Sequence, residues 1–424
     1  MNDNIATPFA KPLYVMLKPA GAHCNLDCKY CYYLEKNNLY NTSQRHLMTD
    51  EMLEQFTREY IEAQTMPQVL FTWHGGEPLM RSIDFYKKAL ELQKKYAHGK
   101  QIDNVIQTNG TLLTDEWCEF FAQNHFLVGI SIDGPQEYHD HYRQTSAGKP
   151  SWEKVMHGIS LLKKHQVEWN AMAVVNAYNA EHPLEFYHFF RDNGCQYLQF
   201  TPIVERLTEH EDGRTLASLA DVSHEDNYED VGNAKKLKDN QEITIADFSV
   251  TPEQWGKFLC TIFDDWVRHD VGKIFVEIFD CTLANWVGVQ PGICAYSKEC
   301  GHAGVMEHNG DVFSCDHFVF PEYKLGNIQD KSLIDMLYGE KQQAFSRLKH
   351  TSLPRQCKEC DMEFACHGEC PKNRFENDKY GEPGLNYLCK GYYEYYTHVA
   401  PYMDFMKREL QAQRPPANIM NVLK

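Results

Sequence analysis

The chain has 424 residues, 43% of them hydrophobic, and sets 42 Lys and Arg against 59 Asp and Glu, a formal charge of -17 with His neutral. That length and apolar content suffice for a sizeable core, arranged as two or three domains or as one large α/β barrel with additions. The acidic balance argues against a phosphate backbone as partner and tolerates a basic peptide or a small molecule. No apolar run reaches the roughly 18 residues needed to cross a membrane, and the start, Met1 to Pro8, lacks the basic-then-apolar pattern of a signal peptide. A cytoplasmic location is therefore expected, where thiols stay reduced. The 15 cysteines are odd in number and clustered, which points to metal ligation rather than disulfides.

From residue 13 to 205, short β-branched or apolar runs alternate with longer amphipathic stretches. Strands are expected at Tyr14–Leu17, Val69–Trp73, Asn104–Gln107, Val128–Ile132, Trp169–Val175 and Tyr197–Thr201. Helices are expected at Asp50–Gln64, Ile83–Tyr96, Asp115–Asn124, Trp152–His165 and Leu184–Asn193, with Thr114 and Ser151 as N-caps and Gly194 as a stop. Such alternation implies parallel pairing through right-handed crossovers. Six units are too few for a closed eight-stranded barrel, leaving a partial (β/α)6 barrel or an open doubly wound sheet. Either gathers its chemistry at the C-terminal ends of the strands.

Between 205 and 248 the pattern breaks into a charge-rich stretch read as a solvated loop in preference to a substrate-covering lid. Thr251-Pro-Glu-Gln254 then opens a helix with a capping box and an early proline. Beyond about residue 275 cysteine density rises and helical periodicity weakens until Ser332–Leu337, so metal is expected to supply fold energy there. The expected division is residues 1–235 for the first domain, including the start of the acidic loop, 236–275 for a linker and connecting helix, and 276–424 for a cysteine-rich domain with a C-terminal helix.

Cys24, Cys28 and Cys31 follow the first strand, on the expected catalytic rim. Three thiolates at this spacing hold three irons of a [4Fe–4S] cubane and leave the fourth open, which suits a cofactor or substrate that must chelate it. A structural zinc site with His23 as fourth ligand is the competing reading. The stretch Cys24–Cys31, with Tyr30 before its last cysteine, resembles the signature of the radical S-adenosylmethionine (SAM) enzymes. That resemblance implies SAM on the open iron and cleavage to a 5′-deoxyadenosyl radical, with the protein positioning and insulating the cofactor. It also implies SAM contacts at strand ends. These are Gly76 in Trp73-His-Gly-Gly-Glu-Pro78 for the amino group, Ser131 before Asp133-Gly134 for the ribose, Arg143 for the carboxylate and the Val204 backbone for the adenine.

Eight further cysteines fall at Cys294, Cys300 and Cys315, at Cys357, Cys360, Cys366 and Cys370, and at Cys389. On count alone they fill two [4Fe–4S] clusters or two zinc sites. Their spacing resembles the SPASM domain of radical SAM enzymes that modify peptides and proteins. The resemblance implies one auxiliary cluster on Cys294, Cys300, Cys315 and Cys370 and a second on Cys357, Cys360, Cys366 and Cys389. Cys118, Cys195, Cys260 and Cys281 remain, read as buried small hydrophobes.

From Leu13 to about Tyr402 the chain is most similar to the anaerobic sulfatase-maturating enzymes, through stretches such as Leu17-Lys-Pro-Ala20, Gln107-Thr-Asn-Gly-Thr111, Phe126 to Pro135 and Val312-Phe-Ser-Cys-Asp316. The implied reaction oxidises a Cys or Ser in a Cys/Ser-x-Pro/Ala-x-Arg motif of a nascent sulfatase to Cα-formylglycine. The implied cofactors are three [4Fe–4S] clusters and SAM, and the implied partner is a low-potential electron donor such as flavodoxin or ferredoxin. Hydrogen abstraction at Cβ, deprotonation by a base and electron transfer to an auxiliary cluster make up the implied sequence. Asp316, next to Cys315, is the expected base, its pKa raised by the neighbouring negative cluster, with His317, His302 and Asp311 as rivals. Two other readings stay open: a radical SAM/SPASM enzyme that crosslinks peptides through thioether or carbon–carbon bonds, and a zinc scaffold without catalysis.

Overall fold

Apolar runs bounded by turn residues, separated by capped amphipathic helices, fold as a series of β/α units in the computed structural model, which describes residues 13–33, 36, 39–40, 47–210, 213–216, 228–231, 234–237 and 244–423. In chain order these units are β1 (Tyr14–Lys18), α1 (Asp50–Ala63), β2 (Gln68–Trp73), α2 (Ile83–Tyr96), β3 (Gln101–Thr108), α3 (Asp115–Gln123), β4 (Leu127–Ser131), α4 (Gln136–Tyr142), α5 (Trp152–Lys164), β5 (Trp169–Val175), α6 (Pro183–Asp192) and β6 (Tyr197–Pro202). Five short strands follow: β7 (Arg206–His210), β8 (Gly213–Leu216), β9 (Tyr228–Val231), β10 (Ala234–Leu237) and β11 (Thr244–Ile245). Then come α7 (Pro252–His269), β12 (Phe275–Val276), α8 (Glu277–Val287), β13 (Ala303–Glu307), β14 (Asp311–Phe313), β15 (Lys324–Asn327), α9 (Leu333–Leu337) and α10 (Glu340–Thr351). The chain closes with α11 (Arg355–Lys358), α12 (Glu363–Cys366), β16 (Arg374–Asn377), β17 (Pro383–Asn386), α13 (Cys389–Gln411) and α14 (Ile419–Val422).

The chain divides into two compact units. The first comprises residues 1–130, 143–169 and 301–346. Its strands run in the order β4-β3-β2-β1-β13-β14-β15. β1 to β4 pair in parallel, as helical crossovers require, and β13 adds in parallel to the far side of β1 with Lys18 opposite Glu307. This pairing brings the residues after β13, distant in sequence, beside the loop that leaves β1. An apolar cluster of Ala22, Tyr33, Val305, Phe313 and Val319, with Met16, Cys31 and Tyr32 packed on it, forms the floor there.

The second unit comprises residues 131–142, 170–300 and 347–424. β12, β6 and β5 pair in parallel, and α7 packs its apolar face, Trp255, Phe258, Leu259, Ile262 and Phe263, within it. Gly256 and Gly391 let α7 and α13 cross closely: a Cβ on Gly391 would stand 2.2 Å from the Pro252 carbonyl oxygen. The expected capping box of α7 is present, Thr251 Oγ1 accepting from the Gln254 N–H at 3.2 Å and Gln254 Oε1 from the Thr251 N–H at 3.0 Å. Thr251→Ala is expected to lower stability by about 1 kcal/mol, read as a lower denaturant midpoint at unchanged iron content.

Three details differ from the sequence expectation. Ser151 does not cap α5; its hydroxyl donates to the Arg143 carbonyl at 2.7 Å and ties down the approach to that arginine. The stretch read as a loop between 205 and 248 forms antiparallel pairs where it is described, β7 with β8 and β11, and β9 with β10; the remainder of that reading lies outside the described residues. α8 was not expected at all. Its buried residues Ile278, Phe279, Cys281, Thr282 and Trp286 keep a helical period that the cysteine-rich surroundings obscured.

Candidate active site

The loop leaving β1 carries Cys24, Cys28 and Cys31 and is clamped from β2. Gly76 N–H donates to the Gly21 carbonyl and Glu77 N–H to the His23 carbonyl, each at 2.8 Å. Gly76 has no room for a side chain, because a Cβ there would lie 2.3 Å from the His23 oxygen. Glu77 is fully buried and takes hydrogen bonds from Leu79 N–H, Thr108 Oγ1 and Asn109 N–H at 2.9, 2.7 and 2.8 Å. Burial pushes its carboxyl up to about 7, and those donors pull back toward the ionised form. Asn109 then reaches the cysteines, its Nδ2 donating to Asn25 Oδ1 at 2.8 Å and lying 3.7 Å from Cys24 Sγ.

Cys24 Sγ also accepts the Leu26 N–H at 3.4 Å. Burial raises this thiol to about 12, with Glu77 and Cys31 adding and the two N–H donors opposing. An isolated thiolate is therefore disfavoured here, whereas a cationic iron would stabilise it, and N–H donors aimed at sulfur are what cluster thiolates receive. The donor set fits an iron–sulfur cubane. Tyr30 is buried beside it and Arg143, itself 7% exposed, places its guanidinium 5.5 Å from the Tyr30 ring centre. Of the residues expected to meet SAM, the first unit thus gathers Tyr30, Gly76 and Arg143 around the three cysteines. Ser131 and Val204 belong to the second unit, where the Val204 carbonyl accepts Lys372 Nζ at 3.0 Å.

A second group in the same unit surrounds Asp316. Lys18, wholly buried at the end of β1, pairs with Asp316 Oδ1 at 2.5 Å, and Tyr32 OH donates to Oδ2 at 2.5 Å. Lys18 Nζ also lies 3.4 Å from His74 Nδ1, which accepts the Gly75 N–H at 2.8 Å. With Nδ1 so occupied, the proton of His74 sits on Nε2, and burial with Lys18 beside it holds the ring down to about 4. Tyr33 stacks under Lys18, 3.8 Å from ring centre to Nζ, and donates to Glu307. His317 meets the Tyr32 ring edge-on at 5.2 Å.

The Asp316 carboxyl departs from expectation. Burial would raise its pKa, but Lys18, His74 and His317 together overcome burial and hold it well below the ordinary carboxylate range. The sequence offered the neighbouring thiolates and gave no sign of the buried lysine. Among the rivals, His302 is engaged with the Leu337 carbonyl at 2.9 Å, and Asp311 with Lys324 at 2.7 Å and Asn327 at 2.8 Å. Sequence reasoning missed Lys18, Tyr32 and Glu307. The legible signals were a lysine closing an otherwise apolar strand and the tyrosine directly after Cys31.

In the second unit Cys357, Cys360, Cys366 and Cys389 line one cavity of about 670 Å³. Burial raises all four thiols, Cys357 to about 11 and Cys389 to about 12. Among the described residues no three or more His, Cys, Asp or Glu side chains close on a single-ion position; these four stand around a cavity wall, a donor set that fits a cubane. Of the unassigned cysteines, Cys118, Cys195 and Cys281 are buried as expected, whereas Cys260 is half-buried.

Comparison with known proteins identifies the family. The model of the Radical SAM superfamily matches residues 19–190 and that of the SPASM iron-sulfur cluster-binding domain matches residues 299–361. Over all 424 residues the chain is 67% identical to a serine-type anaerobic sulfatase-maturating enzyme of Bacteroides thetaiotaomicron, covering 98% of it. The chain belongs to the anaerobic sulfatase-maturating enzymes. A cysteine-type relative from Clostridium perfringens is 30% identical over 393 residues, 92% of this chain and 97% of that protein. The solved structure of native anSMEcpe with bound AdoMet superposes with a TM-score of 0.78 at 29% identity, covering 94% of this chain and all of that one. The expected fold, a partial (β/α)6 radical SAM barrel followed by a SPASM domain, is the fold of this sulfatase-maturating enzyme. Family membership sets aside the zinc-scaffold and peptide-crosslinking readings. No helix among its described residues is long and apolar enough to cross a membrane.

Proposed function

We propose that the enzyme converts a serine of a sulfatase, within a Ser-x-Pro/Ala-x-Arg motif, to Cα-formylglycine, using SAM and three [4Fe–4S] clusters, with Asp316 as base. The serine preference rests on one observation, 67% identity along the whole chain to a serine-type enzyme against 30% to a cysteine-type one. When bound, SAM and the clusters supply the one-electron chemistry that removes a hydrogen atom and then an electron from the target Cβ. Cys24, Cys28 and Cys31 hold the cluster that meets SAM, and the eight later cysteines hold the other two.

Asp316 accepts the hydroxyl proton. A carboxylate has about four acceptor positions; Tyr32 takes one on Oδ2 and Lys18 pairs with Oδ1 by charge, leaving room for a substrate hydroxyl. Lys18 keeps the carboxylate ionised before the substrate arrives, and Tyr32, whose pKa burial and Asp316 raise well above the ordinary phenol value, stays a donor that fixes its orientation. A serine hydroxyl is a far weaker acid than a thiol, so a base held in place matters more for it. His74, with Nε2–H free of the Lys18 contact, orients the polar end of the target. The acidic chain suits the motif's arginine. A low-potential donor such as flavodoxin or ferredoxin supplies the electrons, and a cytoplasmic site of action matches a nascent substrate.

Anaerobic incubation of the reconstituted enzyme with SAM, reductant and paired Ser and Cys peptides, read by mass spectrometry, tests this. The expected result is loss of two hydrogens from the Ser peptide, at a higher turnover than conversion of the Cys peptide to the same aldehyde. Faster turnover of the Cys peptide overturns the serine assignment. SAM cleavage with neither peptide changed overturns the substrate class.

A further inference from the structure

Resting on the cluster ligands proposed above, we propose that Lys349, wholly buried, and Arg374, partly buried, are cations that set the reduction potentials of the auxiliary clusters, Lys349 acting on the Cys294, Cys300 and Cys370 set alone and Arg374 on both. Lys349 lies in the last turn of α10 and is wholly buried. Its Nζ donates to the carbonyls of Cys294, Ala295 and Ser297, the last two at 2.6 and 2.5 Å. An ammonium has three donors, and three carbonyls use all of them. A neutral amine would turn its lone pair onto a carbonyl oxygen, so this geometry keeps the charge.

A buried cation without a counter-charge costs several kcal/mol. Among the described residues no carboxylate forms an ion pair with Lys349; the nearby Glu369 instead accepts Asn386 Nδ2 at 2.9 Å. The negative groups that act on the ammonium are the sulfurs of Cys300, Cys294 and Cys370 and, after them, the Glu369 carboxylate. Its counter-charge therefore comes first from the metal-ligating sulfurs, with the Glu369 carboxylate behind them.

Arg374 occupies the junction between the two sets. Its guanidinium donates to the carbonyls of Gly368 and His367 at 2.8 Å, of Glu369 at 3.0 Å and of Lys349 at 2.5 Å. The segment it grips joins Cys366 of one set to Cys370 of the other. Gly368, at φ +67°, cannot carry a side chain, since a Cβ would lie 2.6 Å from Arg374 Nη2. The negative groups acting on Arg374 are sulfurs from both sets, Cys370, Cys366 and Cys357, together with the Glu369 carboxylate.

Adding an electron to a cluster adds negative charge, so a fixed cation nearby favours the reduced form and raises the potential. One set has two such cations and the other has one. The Cys294 set is thereby the better electron acceptor, and the electron's stopping place is set by the chain rather than by the clusters, which are chemically alike.

Redox titration of the reconstituted holoenzyme, followed by electron paramagnetic resonance, separates the two auxiliary signals. In Lys349→Met, with iron retained, one auxiliary midpoint is expected to fall by at least tenfold in the reduction equilibrium, about 59 mV for one electron, while the other stays in place. Lys349→Arg restores it, and Arg374→Met lowers both. Lys349→Gln, which keeps donors for two of the carbonyls, gives the same shift should the Met variant lose iron. Unchanged midpoints, or equal shifts of both clusters in the Lys349 variants, overturn the assignment. Loss of iron from every neutral variant makes Lys349 a structural tether and also overturns it. Fewer than about twelve irons per chain in the unsubstituted enzyme instead overturns the ligand reading beneath it.

Discussion

Asp316→Asn is expected to abolish aldehyde formation while 5′-deoxyadenosine continues to be released, with product per SAM cleaved falling by about 10²- to 10⁴-fold. The substitution keeps volume and shape and removes the proton acceptor. An amide offers one oxygen where the carboxylate offered two: with that oxygen toward Lys18, the NH2 faces Tyr32 OH, which can no longer donate there, and Lys18 loses its counter-ion. Leaving a buried lysine unpaired costs about 3–5 kcal/mol when nothing compensates. The amide oxygen and His74 Nδ1, the latter at 3.4 Å and already accepting the Gly75 N–H, are neutral and do not replace the lost charge. A lower thermal midpoint is therefore part of the expected result, and continued deoxyadenosine release is the readout showing that the cysteine loop and its surroundings survive. Paired chromatography of deoxyadenosine and mass spectrometry of peptide check both arms. Aldehyde formation at the parental rate removes Asp316 from the reaction. Loss of deoxyadenosine as well shows that the carboxylate holds up the site and does more than take a proton.

The contrast between Asp316 and its partners shows what the residue order carried. The strands and crossover helices of the first unit were readable because each buries one face, so periodicity reports it: β5 and α2 have the bounds expected, and Thr114 caps α3 through the Trp117 N–H at 3.3 Å. The three cysteines of the first group stood out as a group because their spacing puts three thiolates on one short loop, whereas the division of the later eight into two sets rests on the resemblance. Lys18, His74, Tyr32 and Glu307 were not readable, because their meeting depends on β13 adding in parallel to β1 across 289 positions (303 less 14) of sequence. A pairing of that separation leaves no trace in local pattern. The direction of the Asp316 shift failed for the same reason: its decisive neighbour is 298 positions away in Lys18, while the sequence offered only the adjacent Cys315. The pairs among β7 to β11 were missed because charge-rich composition hid short alternations that only their partners stabilise.

Gly76→Ala is expected to remove the cluster on Cys24, Cys28 and Cys31, taking iron from about twelve to about eight per chain and ending SAM cleavage. The family resemblance assigns Gly76 to the SAM amino group, and the packing gives it an earlier task. A methyl group at this position would stand 2.3 Å from the His23 oxygen and 2.6 Å from both the carbon and the oxygen of the Ala22 carbonyl. All three are backbone atoms, so no rotamer change relieves the contact, and overpacking of this kind costs about 1–3 kcal/mol. The strain falls on the two 2.8 Å hydrogen bonds that clamp the loops, Gly76 to Gly21 and Glu77 to His23. As Glu77 moves, its bonds to Thr108 and to the Asn109 N–H go with it, and Asn109 is the residue whose side chain reaches Cys24. One added carbon thus reaches a ligand sulfur through three residues. Iron and sulfide analysis of the reconstituted variant, followed by equilibrium SAM binding, separates the two tasks. Full iron with weakened SAM binding assigns Gly76 to the cofactor alone. A deficit of about four irons, with the auxiliary signals intact, assigns it to the loop that the cofactor's cluster needs first.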